Sequence, residues 1–327
     1  MMLSLMIVCL TQTLKISAIR ASGQILAASQ AGYLQIINDH QIEFVEWHNN
    51  VPLESKVCRG EPIDSGLQGT LAFHNLGTVS LFSCEDSRFR AIELQVPTGE
   101  IVASVDSGVI VLNEGRYSLV TVDGKVRLPK TPLLDKPSTE SRFSQIGDNL
   151  YLLATDLSWP ITATFMLSKG VWVKVLSEPT SDGRGTTFEP AFEAKGMVFG
   201  TVFPGESYYL RHSVSDLASL YPAMQVRGEV NRLSGPAGAR PFQASAQFLY
   251  GCSTPDSPES EKKVSSTPMS IWRWNLVGLD RYDELTLGLP NNQIPKRIIP
   301  IPNSDQFVVV VAKDRIGGST SYWHVGT

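Results

Sequence analysis

Charge is scarce in this sequence. Lys, Arg, Asp and Glu together make up 18% of its 327 residues, against ~25% in ordinary soluble domains. The 28 cationic and 32 anionic side chains leave a net charge of −4. No basic run exceeds two adjacent positions, as at Lys262-Lys263, so the cationic footprint that holds a nucleic-acid backbone is missing and no nucleic-acid partner is expected. Cysteine is sparse as well. Cys9, Cys58, Cys84 and Cys252 form no CxxC pair and share no ligand spacing with the five histidines, which argues against a metal site. Isolated cysteines of this kind read as buried free thiols, and Cys58 with Cys84, the pair nearest in sequence, is the one a disulfide would join. No Asn opens an N-x-Ser/Thr sequon, which leans against a glycosylated secreted protein.

Long apolar runs are missing too. The N-terminal stretch 3–10 (LSLMIVCL) is far shorter than the ~20 residues of a transmembrane helix, and no other stretch reaches that length, so no membrane span is expected. The same stretch would suit the core of a signal peptide, but no Lys or Arg precedes Lys15 and the only cleavage-like pattern is the weak one around Ala18–Ala21; a β-strand fits it better. Catalytic signatures are absent: there is no G-x-S-x-G elbow, no GxxxxGK[ST] loop, no G-x-G-x-x-G and no H-E-x-x-H, so no cofactor, metal or covalent nucleophile is indicated. The Ser, Thr, Gly and Asn that replace charge give a composition met more often in virion, tail-fibre and extracellular β proteins than in cytosolic signalling proteins, and, taken with the missing sequon and the poor signal-peptide fit, a virion or cytoplasmic setting is favoured over secretion.

What the chain does contain is strands. Short runs rich in β-branched and aromatic residues recur every ~8–12 residues between Gly, Asp, Asn and Pro, the pattern of an all-β fold. Helical periodicity is confined to 215–221 (SDLASLY), stopped by Pro222. The runs fall into seven groups. The first holds 14–20, 24–29, 33–38 and 42–47; the second 68–74, 77–83 and 88–96; the third 100–105, 108–112, 116–121 and 125–128, with a hairpin turn at Asp123-Gly124. The fourth holds 142–146, 149–155, 161–167 and 171–176; the fifth 188–194, 197–203 and 206–211; the sixth 242–250, 270–276 and 282–287; the last 296–301, 306–312 and 320–325.

Seven groups in 327 residues give a period of roughly 47, within the ~40–50 residues of one four-stranded propeller blade. The expectation is therefore an all-β, seven-bladed β-propeller, a single domain over 1–327. A closed ring mixes the two termini in one blade, and 3–10 is expected to supply the strand that the last group lacks. The chain carries no Trp-Asp dipeptide, no Gly-His and only one Gly-Gly pair, Gly317-Gly318. The string TSDGRGTTF from Thr180 resembles the Asp box of sialidase-like propellers, but one residue too many separates Asp182 from Gly185 and there is no second copy; it reads as a turn.

Candidate chemistry is thin. Asp106, Asp156 and Glu193 stand at or near strand ends, where carboxylates of a propeller glycosidase would converge on the central funnel, but acidic residues there commonly form turns, and no catalytic residue is assigned. His48, His212 and His324 sit beside aromatic strands and read as surface or hydrogen-bonded histidines. Trp272 and Trp274 alternate along one strand and so share a face; they are expected to pack between blades, as are Trp172, Tyr208 and Trp323. The least globular parts are 232–241 and 251–268 (GCSTPDSPESEKKVSSTP). Long connections in compact folds often carry contacts, so a protein partner is expected there, through Arg232, Arg240, Asp256, Glu259, Lys262 and Lys263. The functional expectation is a noncatalytic interaction or structural module within a larger assembly such as a phage tail or virion; the alternative is a carbohydrate-active propeller, lectin or glycosidase, with a glycan as partner.

Overall fold

A computed structural model of the chain describes residues 14–38, 41–47, 52–57, 61–63, 70–85, 88–105, 108–130, 139–156, 161–176, 188–202, 206–211, 229–233, 239–253, 270–290, 294–312 and 320–326. These residues form seven four-stranded antiparallel sheets. After a first strand β1 (Lys15–Ile19), the first sheet holds β2 (Gln24–Ala28), β3 (Gly32–Ile37), β4 (Gln41–Glu46) and β5 (Pro52–Val57). The second holds β6 (Glu61–Ile63), β7 (Thr70–Asn75), β8 (Thr78–Glu85) and β9 (Arg88–Gln95). The third holds β10 (Glu100–Val105), β11 (Gly108–Asn113), β12 (Arg116–Thr121) and β13 (Gly124–Arg127). In the fourth are β14 (Thr139–Ile146), β15 (Asn149–Asp156), β16 (Ile161–Ser168) and β17 (Val171–Leu176), and in the fifth β18 (Phe188–Ala194), β19 (Met197–Val202), β20 (Glu206–Arg211) and β21 (Glu229–Arg232). The sixth comprises β22 (Ala239–Ala244), β23 (Phe248–Ser253), β24 (Ile271–Asn275) and β25 (Gly278–Leu285), and the seventh β26 (Ile294–Pro300), β27 (Phe307–Ala312), β28 (Thr320–Gly326) and the returning β1.

Each sheet is a meander, and the first strands of successive sheets lie side by side around a centre. Apolar clusters glue neighbouring sheets face to face. Leu34 and Phe44 of the first meet Phe73 and Phe82 of the second; Leu81 and Val79 meet Val109 and Val111 of the third; Ile110 and Val105 meet Phe143, Leu152 and Trp172 of the fourth. Phe199 and Met197 of the fifth pack on Trp272, Trp274 and Leu249 of the sixth, and Tyr250 with Ile271 on Phe307 and Val309 of the seventh. The circle shuts where Val308 and Tyr322 of the seventh meet Ile25, Tyr33 and Val45 of the first. Each fully buried large side chain contributes roughly 1.5–3 kcal/mol, so the interfaces between sheets, more than any one sheet, carry the stability.

The closing strand corrects the expectation from sequence. Residues 3–10 lie outside the described residues, and β1 pairs with β28 from Lys15↔Gly326 to Ile19↔Tyr322. That run reads from sequence as the first strand of the first group because the true fourth strand, β5, hides its character: PLESKV opens on proline and alternates charge with exposed Leu53. Short or polar strands β6 and β21 escape the sequence for the same reason. The run 242–250 splits into β22 and β23 at a turn without Gly, Pro, Asn or Asp. Ser245 makes it: its amide donates to Phe248 O at 2.8 Å, and its Oγ accepts from the amides of Gln247 and Phe248. Ser29 builds the same turn between β2 and β3, accepting from the amides of Ala31 and Gly32. The short helix expected at 215–221 lies outside the described residues.

A second repeated device is a register shift in the first strand of five sheets, at Ile25/Ala27, Ile101/Ala103, Pro190/Phe192, Pro241/Gln243 and Pro295/Arg297. A bulge tolerates a residue without an N–H and sharpens local twist, which accounts for a proline at three of the five positions and helps the innermost strands wind around the centre.

Candidate protein-interaction groove

The outermost hairpin of the third sheet joins β12 to β13 through Val122-Asp123, with Gly124 at φ 133° as its exit. Thr121 Oγ1 accepts from the Asp123 amide at 3.2 Å and tightens the turn. Register then sets the faces: Leu119 lies opposite Val126, and Ser118 and Val120 opposite Arg127 and Lys125. Tyr117, Leu119 and Leu128 turn toward the fourth sheet, where they join the cluster around Phe143 and Trp172. Tyr117 meets Phe143 edge-on at 4.9 Å, and Trp172 Nε1 donates to Pro129 O at 2.9 Å, tying the exit of β13 to the fourth sheet.

Between the two sheets this leaves a groove of about 630 Å³ lined by Tyr117, Val126, Leu128, Pro129 and Leu167, with Arg116, Arg127, Lys130 and Glu114 also lining it. Val126 remains 58% exposed. The floor is apolar and the margin mainly cationic, on a chain whose net charge is −4. The spacing in KVRLPK conceals this from a search for basic runs: its three cations, Lys125, Arg127 and Lys130, are separated by apolar residues. A second cavity of about 620 Å³ sits at the closing seam, lined by Ser22, Gln24, Ile25, Arg297, Thr320 and Tyr322; Arg297 Nη2 donates to Ile25 O across it at 3.5 Å.

Of the partner-binding residues marked from sequence, two are described, and they stand on different sheets. Arg232 ends β21, the outer strand of the fifth sheet, whereas Arg240 lies in β22, the first strand of the sixth. The expectation that 232–241 and 251–268 decorate one sheet is therefore corrected: the first connects two sheets, and Gly251–Ser253 belong to β23. Asp256, Glu259, Lys262 and Lys263 lie outside the described residues, as do Asp106, His48, His212, Cys58 and Cys9. Asp156 ends β15. Burial, with a further contribution from the charge of exposed Glu193, holds the Tyr151 phenol well above the usual tyrosine range. Trp272 and Trp274 pack between sheets as their alternation predicts. Cys252 is a buried free thiol pushed up to about 11 by burial, an effect that the charge of Arg240 opposes. Among the described residues no group of three or more His, Cys, Asp or Glu side chains is arranged to hold a metal ion, and no helix is long and apolar enough to cross a membrane.

No protein-family model matches the sequence, nor does any curated relative. Solved structures do. The Cps50 (Swd1) beta-propeller domain of Myceliophteria thermophila aligns over 94% of this chain and 99% of its own, with a TM-score of 0.54 at 10% identity. The chain is a β-propeller. A structure from work on two prolyl endopeptidases aligns over 95% of the propeller with a TM-score of 0.56 at 9% identity, and the propeller spans 47% of that protein's length. At such identities the likeness is one of fold.

Proposed function

We propose that this propeller is a noncatalytic interaction module, one domain over 1–327 acting as a component of a larger assembly, and that it docks a protein partner at the groove between the third and fourth sheets. The observation that carries the reading is the groove itself: an apolar floor left open beside exposed Val126, edged by cations on an acidic chain. Apolar surface held open next to charge of one sign is the anatomy of a docking site, with an apolar centre and a polar rim. The connection 251–268 is proposed as a second contact, with Asp256, Glu259, Lys262 and Lys263 on it, Arg240 on β22 opposite Cys252 and Arg232 on β21 of the fifth sheet.

A photo-crosslinking amino acid placed at Val126, and as a control at the exposed turn residue Leu76, tests the groove in the native host extract. The expected result is one dominant protein adduct at Val126, absent at Leu76 and lost on Leu167→Glu. Replacing 254–269 with a Gly-Ser turn should weaken that adduct if the loop contributes and leave it unchanged if it does not. Adducts equal at both positions, or retention on a glycan array that Leu167→Glu abolishes, would overturn the reading, the latter in favour of a carbohydrate-binding propeller.

A further inference from the structure

β13 ends its sheet, and among the described residues no strand pairs with its outer edge. All four of its residues are exposed. The Thr121↔Gly124 pair closes a two-residue hairpin, so antiparallel alternation turns the backbone groups of Gly124 and Val126 toward β12 and those of Lys125 and Arg127 outward. An open edge of this kind is a template for another strand. Its side chains alternate in step: Val126 shares the face of Tyr117 and Leu128 toward the groove, while Lys125 and Arg127 start from the other, Arg127 also reaching the groove's margin.

We propose that the outer edge of β13 takes an acidic, extended peptide of the partner as an added strand, with alternate apolar side chains in the groove and the intervening carboxylates against Lys125 and Arg127. The inference rests on reading the groove as a protein-docking site and adds the chemistry of what it holds. Main-chain ladder bonds supply affinity in such strand addition, and alternate side chains supply specificity. Arg116 and Lys130 extend the positive charge along the groove, against Glu114 and Asp123. The same cations repel the β13 edge of a second copy, so the edge selects an anionic strand over self-pairing. A nucleic acid would neutralise the cations but has no use for outward amides in a ladder or for a floor of Tyr117, Val126 and Leu128.

Fluorescence anisotropy of labelled heptapeptides with the full chain tests this. The first peptide alternates Glu with Val, the second has the same composition in two blocks, and the third is the first methylated on alternate peptide nitrogens. The alternating peptide should bind, with the other two at least tenfold weaker. Lys125→Gln with Arg127→Gln should weaken it at least tenfold at low salt, and Val126→Asp should abolish it, with circular dichroism unchanged in both variants. Failure of the alternating peptide to bind, equal binding of the block or methylated peptide, or equal competition by an oligothymidylate of matched charge would overturn the proposal. A Val126 crosslink to a partner without binding of the alternating peptide would refute the acidic strand and leave the docking reading standing. Peptide binding without any crosslinked partner would do the reverse.

Discussion

His324 stacks on Trp47 across the closing seam with ring centroids 4.6 Å apart, and its Nε2 meets Gln306 Oε1 at 3.1 Å. Trp47 in turn donates from Nε1 to Ser29 O at 2.8 Å, so one imidazole ties the last sheet to the first. Burial lowers its pKa below the usual 6.5. A folded-state pKa below the unfolded one means that the unfolded chain binds the proton more readily, so stability is full above pH 6.5 and falls as pH drops below it. Thermal unfolding followed between pH 7.5 and 5.5 should show the midpoint falling more steeply in the wild type than in His324→Phe, which keeps the stacked ring without the titrating nitrogen. Equal slopes would show that the seam does not feel this proton. From sequence His324 reads as a surface or hydrogen-bonded histidine beside an aromatic strand, and it is the second; that its stacking partner comes from the opposite end of the chain is invisible there, because Trp47 and His324 become neighbours only when the ring shuts.

Strands with a strong apolar signal are legible, and those without it are not. β11 (GVIVLN) and β27 (FVVVVA) are nearly continuous apolar runs buried on both faces, and both are evident in the sequence. β5, β6 and β21 are short or polar and leave little signal. Trp274 marks the other extreme. It is fully buried on β24 against the fifth sheet, and its ring lies 2.8 Å from where a Cβ on Gly251 would stand, so tryptophan and glycine are matched across β23 and β24. Trp274→Ala should cost about 3–5 kcal/mol, read as a lower midpoint in urea at constant slope. Tolerance of the change within 1 kcal/mol would mean that the fifth and sixth sheets do not depend on this wedge.

At the scale of the whole molecule the decisive contact is β1 on β28. Every other sheet is built from consecutive strands; the seventh alone borrows one from the start of the chain. Leu14 and Ile16 enter the core between the sixth and seventh sheets, so the strand adds apolar burial as well as a ladder. Removing residues 1–19 should lower the melting temperature by more than about 10 °C and make unfolding less cooperative, since each 1 kcal/mol moves the midpoint by only about 2–4 °C in larger domains. An unchanged melting curve would show that the ring holds without its clasp. The sequence by itself determined the period, the all-β character and the sevenfold grouping, because alternation, turn residues and spacing are local properties that survive in one dimension. Only the tertiary structure decided which N-terminal strand closes the ring, that Arg232 and Arg240 stand on different sheets, and that KVRLPK flanks an apolar groove. Those are relations between sheets, set by how flat, twisted surfaces stack around an axis, and residues far apart in the chain meet there without leaving a local mark.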